Sequence, residues 1–111
     1  MDERARRVGQ NEALYRSINE RIEELNRGFG AFTGTMTIVC ECGDASCTEQ
    51  IEVPVEAYER VRADPTHFVI LPGHEIADVE DVVEEADAYH VVAKWPGEPA
   101  ELARETDPRS G

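Results

Sequence analysis

Apolar residues recur along the first quarter of the chain at Val8, Tyr15, Ile18, Ile22, Leu25 and Phe29, in steps of seven, three, four, three and four. That period predicts an α-helix over residues 3–27, and Leu14 widens the stripe. Arg, Glu, Asn and Ser fill the opposite side, where Glu12 and Arg16 form a favourable i,i+4 pair. Gly28 is a stop signal, and Phe29-Gly30-Ala31-Phe32 reads as a hinge-like connection. Two destinations for the stripe stay open. It packs on the helix's own domain, or part of it (Tyr15, Ile18, Ile22 and Leu25) meets another protomer or a partner helix.

After the hinge the period changes to two. Met36, Ile38, Cys40 and Cys42 share one face of a strand over 35–42, and Ile51 and Val53 answer over 49–53. The two strands make a hairpin with the cysteines at its tip. Pro54 suits the first turn of a helix over 54–63, with Val55, Tyr58 and Val61 on one face, and Asp64-Pro65 ends it. Phe68 to Leu71 is a nearly continuous apolar run, as in an inner strand. Leu71-Pro72-Gly73-His74 reads as a type II turn. Residues 79–84 and 89–95 read as a second hairpin, with Tyr89, Val91, Ala93 and Trp95 on one face. Residues 79–86 also fit a short helix, but their β-branched content favours a strand. From Pro96 onward Gly and Pro punctuate a loosely ordered tail, in which 98–104 offers one helical turn. The expected fold is α+β: an N-terminal amphipathic helix over 1–30, then a zinc-stabilised core over 31–96 and the tail over 97–111. The core combines a small, mainly antiparallel sheet with one short helix.

All three cysteines lie in Cys40-Glu41-Cys42-Gly43-Asp44-Ala45-Ser46-Cys47, a C-x-C-x4-C pattern. Thiolates suit zinc, which takes four ligands in a tetrahedron. Cys40 and Cys42, two apart on a strand, point to the same side and can reach one ion. Gly43 can adopt the positive φ of a tight reversal, which would return Cys47 as third ligand. The fourth must be another residue type. His67 opens a strand and His90 sits within one, while His74 is held by the Pro-Gly turn and is the preferred ligand. Glu75 beside it is a candidate to orient the imidazole from behind. The competing readings are three ordinary buried thiols and a redox-active C-x-C pair. Iron–sulfur clusters are disfavoured because they usually take four cysteines.

One domain of 111 residues with 41% hydrophobic and 6% aromatic residues has a modest core, to which one zinc per chain would add stability. No apolar run approaches the roughly 20 residues of a membrane span. The N-terminus lacks the apolar segment of a signal peptide, so a cytoplasmic protein with reduced thiols is expected. The net charge of -13 is unevenly spread. Residues 1–27 hold six Arg and six acidic groups, whereas the rest holds five basic and eighteen acidic. That charge repels phosphate backbones and excludes general nucleic-acid binding. It suits solubility or a docking face for a basic protein.

Further blocks accompany the cysteines: Asn19-Glu20-Arg21-Ile22, Tyr58-Glu59-Arg60-Val61-Arg62 with Pro65, Phe68-Val69 through Pro72-Gly73-His74-Glu75, Tyr89-His90-Val91-Val92-Ala93-Lys94 and Asp107-Pro108-Arg109. In this order they resemble a family of small uncharacterised proteins from high-GC Gram-positive bacteria. The resemblance implies a split metal site at Cys40, Cys42, Cys47 and His74, and no particular activity. The C-x-C start is shared with the SWIM zinc module, but Cys47 is followed by Thr48-Glu49 rather than x-His.

No nucleotide-binding P-loop, G-x-S-x-G or H-E-x-x-H pattern is present. The expected function is a small non-catalytic, zinc-stabilised module with a protein-interaction or regulatory role. The alternative is a redox sensor whose zinc thiolates oxidise and release metal. A zinc enzyme would require His74 to stay off the metal, leaving a position for water with Glu75 or Asp44 as base.

Overall fold

The computed structural model describes residues 2–28 and 34–109. Its element order is α1 (Glu3–Gly28), β1 (Thr35–Val39), β2 (Gln50–Pro54), α2 (Val55–Arg62), β3 (His67–Ile70), β4 (Glu80–Glu85), β5 (His90–Lys94) and α3 (Glu98–Glu105). This is the expected α+β class. The hinge predicted at 29–32 lies outside the described residues.

Two antiparallel sheets form. In the first, β1 pairs with β2 so that Met36 faces Val53 and Ile38 faces Ile51, burying the apolar face that the alternation marks. In the second the order is β3-β5-β4. Residues 79–86 resolve in favour of the strand. A bulge between Val82 and Glu84 turns Val83 out to solvent. The inner strand is β5, with Val91 and Val92 buried on both of its faces, and not β3 as the apolar run suggested. The outer side of β3 is covered by the cysteine segment: the Glu41 N–H donates to the Val69 carbonyl at 2.8 Å. Phe68, Val69 and Ile70 are thereby buried at a sheet edge.

Asp2 caps α1, its Oδ1 accepting the Ala5 N–H at 2.7 Å. The helix presents its charged side to the domain. Glu12, Arg16 and Asn19 are fully buried and Glu20 and Glu23 nearly so, whereas Leu14 and Leu25 are 59% and 61% exposed. Packing of the whole apolar stripe on the domain is therefore corrected. Each of these side chains reaches a specific partner, which makes this arrangement tolerable, although Glu12 Oε2 and Arg16 Nε are buried without one. The Glu12 carboxylate accepts from Lys94 Nζ at 2.7 Å, and Glu80 from the same ammonium at 3.1 Å. Glu12 thus pairs with Lys94 across the fold, where the sequence suggested Arg16. Arg16 donates to the carbonyls of Pro65 and Ala103 and lies 4.5 Å over the Phe68 ring. The Asn19 amide brackets Val39, accepting its N–H and donating to its carbonyl, both at 2.8 Å, and so caps the open edge of β1.

The helical turn expected around 98–104 is present as α3, and residues 97–109 pack on the domain where a loose tail was expected. Ala100 and Ala103 of α3 are buried, Arg62 pairs with both Glu20 and Asp107, and Arg109 pairs with Glu20 and Glu59. These arginines tie α1, α2 and the C-terminal segment together. Removing one partner from such a buried pair typically costs about 3–5 kcal/mol.

Candidate metal centre

The chain leaves β1 at Val39 and delivers Cys40 and Cys42, each 1% exposed, into the gap between the two sheets. A β-turn follows, in which the Cys47 N–H donates to the Asp44 carbonyl at 3.0 Å. Asp44 Oδ1 stiffens it by accepting from the Ser46 N–H and hydroxyl, bonds that also lower the Asp44 pKa. Cys47 returns half-buried toward the other two thiols.

Gly43 is needed for space. Its φ is not positive, contrary to expectation. A Cβ there would come within 2.8 Å of Ile76 Cδ1 and closer still to Val8, so the loop could not lie against α1. Gly73 does take the predicted role. With φ +88 and the His74 N–H donating to the Leu71 carbonyl at 3.0 Å, residues 71–74 form a type II turn.

That turn aims His74 at the thiols. His74 Nδ1 lies 3.6 Å from Cys40 Sγ and 3.7 Å from Cys47 Sγ. One ligand atom from each of Cys40, Cys42, Cys47 and His74 lies within 4.8 Å of every other. The four residues predicted as ligands therefore meet in one cluster, which is compatible with a bound metal ion. His67 instead contacts Asp64, and His90 Nδ1 is buried without a hydrogen-bond partner. Neither joins the cluster. Glu75 Oε1 is also buried without a partner, and among the described residues it does not hold the imidazole.

The thiols interact strongly with one another. Cys42 is pulled down to about 5, chiefly by its hydrogen bond from the Cys40 thiol, which is pushed up in consequence. The Leu71 N–H donates to Cys40 Sγ at 3.2 Å, which works against that rise. A cation bound here would replace the shared protons.

Helix α1 buttresses the loop from outside. Asn11 Nδ2 donates to the Gly43 carbonyl at 2.9 Å, and the Tyr15 hydroxyl donates to the Ala45 carbonyl at 2.9 Å. Tyr15 thus supports the cysteine loop, in place of the partner contact expected of it, and Ile22 packs against the core. Only Ile18 and Leu25 of the four candidate partner-binding residues are well exposed.

Sequence reasoning missed Glu41, Asn11 and Asn19. Glu41, between the first two ligands, is fully buried. Its Oε1 accepts the Val69 N–H and its Oε2 accepts from Asn19 Nδ2 and the Tyr58 hydroxyl. Its one sequence signal is a charged residue whose neighbours on both sides are buried thiols. In comparisons with family models, curated proteins and solved structures, nothing matches this chain. Among the described residues no helix is long and apolar enough to cross a membrane.

Proposed function

We propose that this chain is a non-catalytic module, stabilised by one zinc ion at Cys40, Cys42, Cys47 and His74, that acts by binding another protein. The observation that carries the zinc reading is the spacing of His74 Nδ1 from two thiols, 3.6 and 3.7 Å. Zinc–sulfur bonds of about 2.3 Å and a zinc–nitrogen bond of about 2.0 Å at tetrahedral angles require a sulfur–nitrogen separation of about 3.6 Å. Three soft thiolates and one imidazole favour zinc over calcium or magnesium, and four cysteines would be usual for an iron–sulfur cluster.

A full set of four protein ligands leaves no position for water or substrate, which supports a structural role over an enzymatic one. The excess of acidic groups supports a protein partner in the cytoplasm over nucleic acid. Purification without chelator followed by elemental analysis tests the reading. One zinc per chain is expected, and a zinc-free folded protein with three freely reactive thiols overturns it.

A redox-sensing role is the second reading, favoured by the partial exposure of Cys47 beside two buried thiols. It requires dilute peroxide to release zinc much faster than from an ordinary structural site.

A further inference from the structure

The outward face of α1 carries large apolar residues that the domain leaves uncovered. Leu14 is 59% exposed, Ile18 39% and Leu25 61%, and all three fall within a narrow angular band on one side of the helix. Arg7 and Arg21 lie in the same band, with Gln10, Ser17 and Glu24 along one border, and all five are exposed. The opposite border is closed by Tyr15, which is tied to the cysteine loop. Positions 14, 18, 21 and 25 follow the alternating four- and three-residue steps of a coiled-coil seam, and Arg7 extends it by one heptad. The helix therefore faces inward with its ion pairs and outward with this seam.

We propose that a second copy of this chain covers the seam, with the two α1 helices antiparallel about an axis at the level of Arg16. This rests on the reading of the chain as an interaction module and names its partner. Charge selects the occupant. The chain as a whole has a net charge of -13, but the outward side of α1 offers Arg6, Arg7 and Arg21 against Glu3 and Glu24. Arg7 lies nine positions before Arg16 and Glu24 eight after it. In an antiparallel pair, Arg7 then stands within about 1.5 Å, along the axis, of the level of Glu24 in the other copy. Both ends of the interface gain this pair by symmetry, as an isologous contact requires. Between them Leu14 meets Ile18 of the second copy, twice. Leu25 covers the aliphatic stem of the opposing Arg7. Antiparallel packing also opposes the two helix dipoles favourably. A short, single-helix contact between two acidic bodies makes a weak dimer, with dissociation in the micromolar range.

Sedimentation equilibrium of the full chain tests this, with zinc content measured on the same samples. The mass is expected to rise from one chain to two as concentration goes from low micromolar toward millimolar. Leu14→Ser with Ile18→Ser should abolish the rise, and both positions are exposed enough for the fold to tolerate the changes. Arg7→Glu should weaken association by about tenfold or more, and Arg7→Glu with Glu24→Arg should restore it. A parent that stays monomeric throughout overturns the proposal and leaves the seam to a different protein. A dimer that survives the Leu14/Ile18 change, or a charge swap that fails to restore association, overturns it as well. Zinc-loaded monomers would refute the dimer while leaving the metal reading intact. A zinc-free dimer would do the reverse.

Discussion

Glu41 and Val69 are joined as two rungs of a β-ladder, except that one rung is a side chain. The Glu41 N–H donates to the Val69 carbonyl at 2.8 Å, and the Val69 N–H donates to Glu41 Oε1 at 3.0 Å. The residue between the first two cysteines therefore sews the β1–β2 hairpin to the edge of the second sheet. The same alignment brings the Leu71 N–H onto Cys40 Sγ and the 71–74 turn beside the cysteine loop. Burial raises the Glu41 pKa, while the Asn19 and Val69 donors act to lower it.

Three donors converge on the Glu41 carboxylate, from Val69, Asn19 and Tyr58. A Gln side chain offers one oxygen and turns an NH2 group against donors. Glu41→Gln should destabilise the zinc-loaded protein by about 2–4 kcal/mol. It should also speed zinc loss, because the two ligand-bearing segments are no longer held together. Urea unfolding checks the first effect, and an unchanged midpoint would mean that the carboxylate is not needed there.

His74 supplies the one neutral ligand of the proposed site and the one from beyond the hairpin, 27 positions after Cys47. A metal joining them closes a long loop, so losing His74 should loosen more than the loop tip. His74→Ala is expected to release zinc to a chromophoric chelator at least about tenfold faster and to lower the melting temperature. His67→Ala and His90→Ala should release it at the parent rate. Faster release from either of these, with His74→Ala unchanged, would be evidence for a different ligand set.

Glu12 and Glu80 share the Lys94 ammonium inside the protein. Burial, then the hydrogen bond with Glu80, raises the Glu12 pKa well above the usual carboxylate range. The folded state thus keeps a proton that the unfolded chain releases above about pH 4.3. Stability is lost as pH rises from there through the folded-state value. Glu12→Gln mimics the protonated acid and should lack this loss. In melting curves taken upward from about pH 5, the variant should gain on the parent until the folded-state value of Glu12 is passed. A difference that stays flat with pH would show that Glu12 does not hold the extra proton. Lys94→Met should cost about 3–5 kcal/mol, since it leaves the buried negative charge of the Glu12–Glu80 pair without its cation.

Local pattern marked Cys40, Cys42, Cys47 and His74, the hairpin beside them and the type II turn. Each depends on residues close in sequence. Alternation around Met36 and Ile38 sets which side of β1 is buried, and Pro72-Gly73 sets the direction of His74. The β-branched residues of 79–86 were likewise enough to favour a strand.

The orientation of α1 and the order of residues 97–109 were decided only in three dimensions. An apolar stripe turns inward by default, because burying charge without a partner is costly. Here the partners exist, but they lie far along the chain: Lys94 for Glu12, Arg62 and Arg109 for Glu20, and the Ala103 carbonyl for Arg16. No periodicity within residues 3–28 records those distant groups. Gly43 has the same origin, since the close approach of Val8 and Ile76 that demands it forms only once the helix has docked. Local pattern thus specified most of the elements and the residues of the Cys/His cluster. Matched ion pairs between remote segments, which offset the desolvation of the charged face, chose how the helix and the C-terminal segment pack.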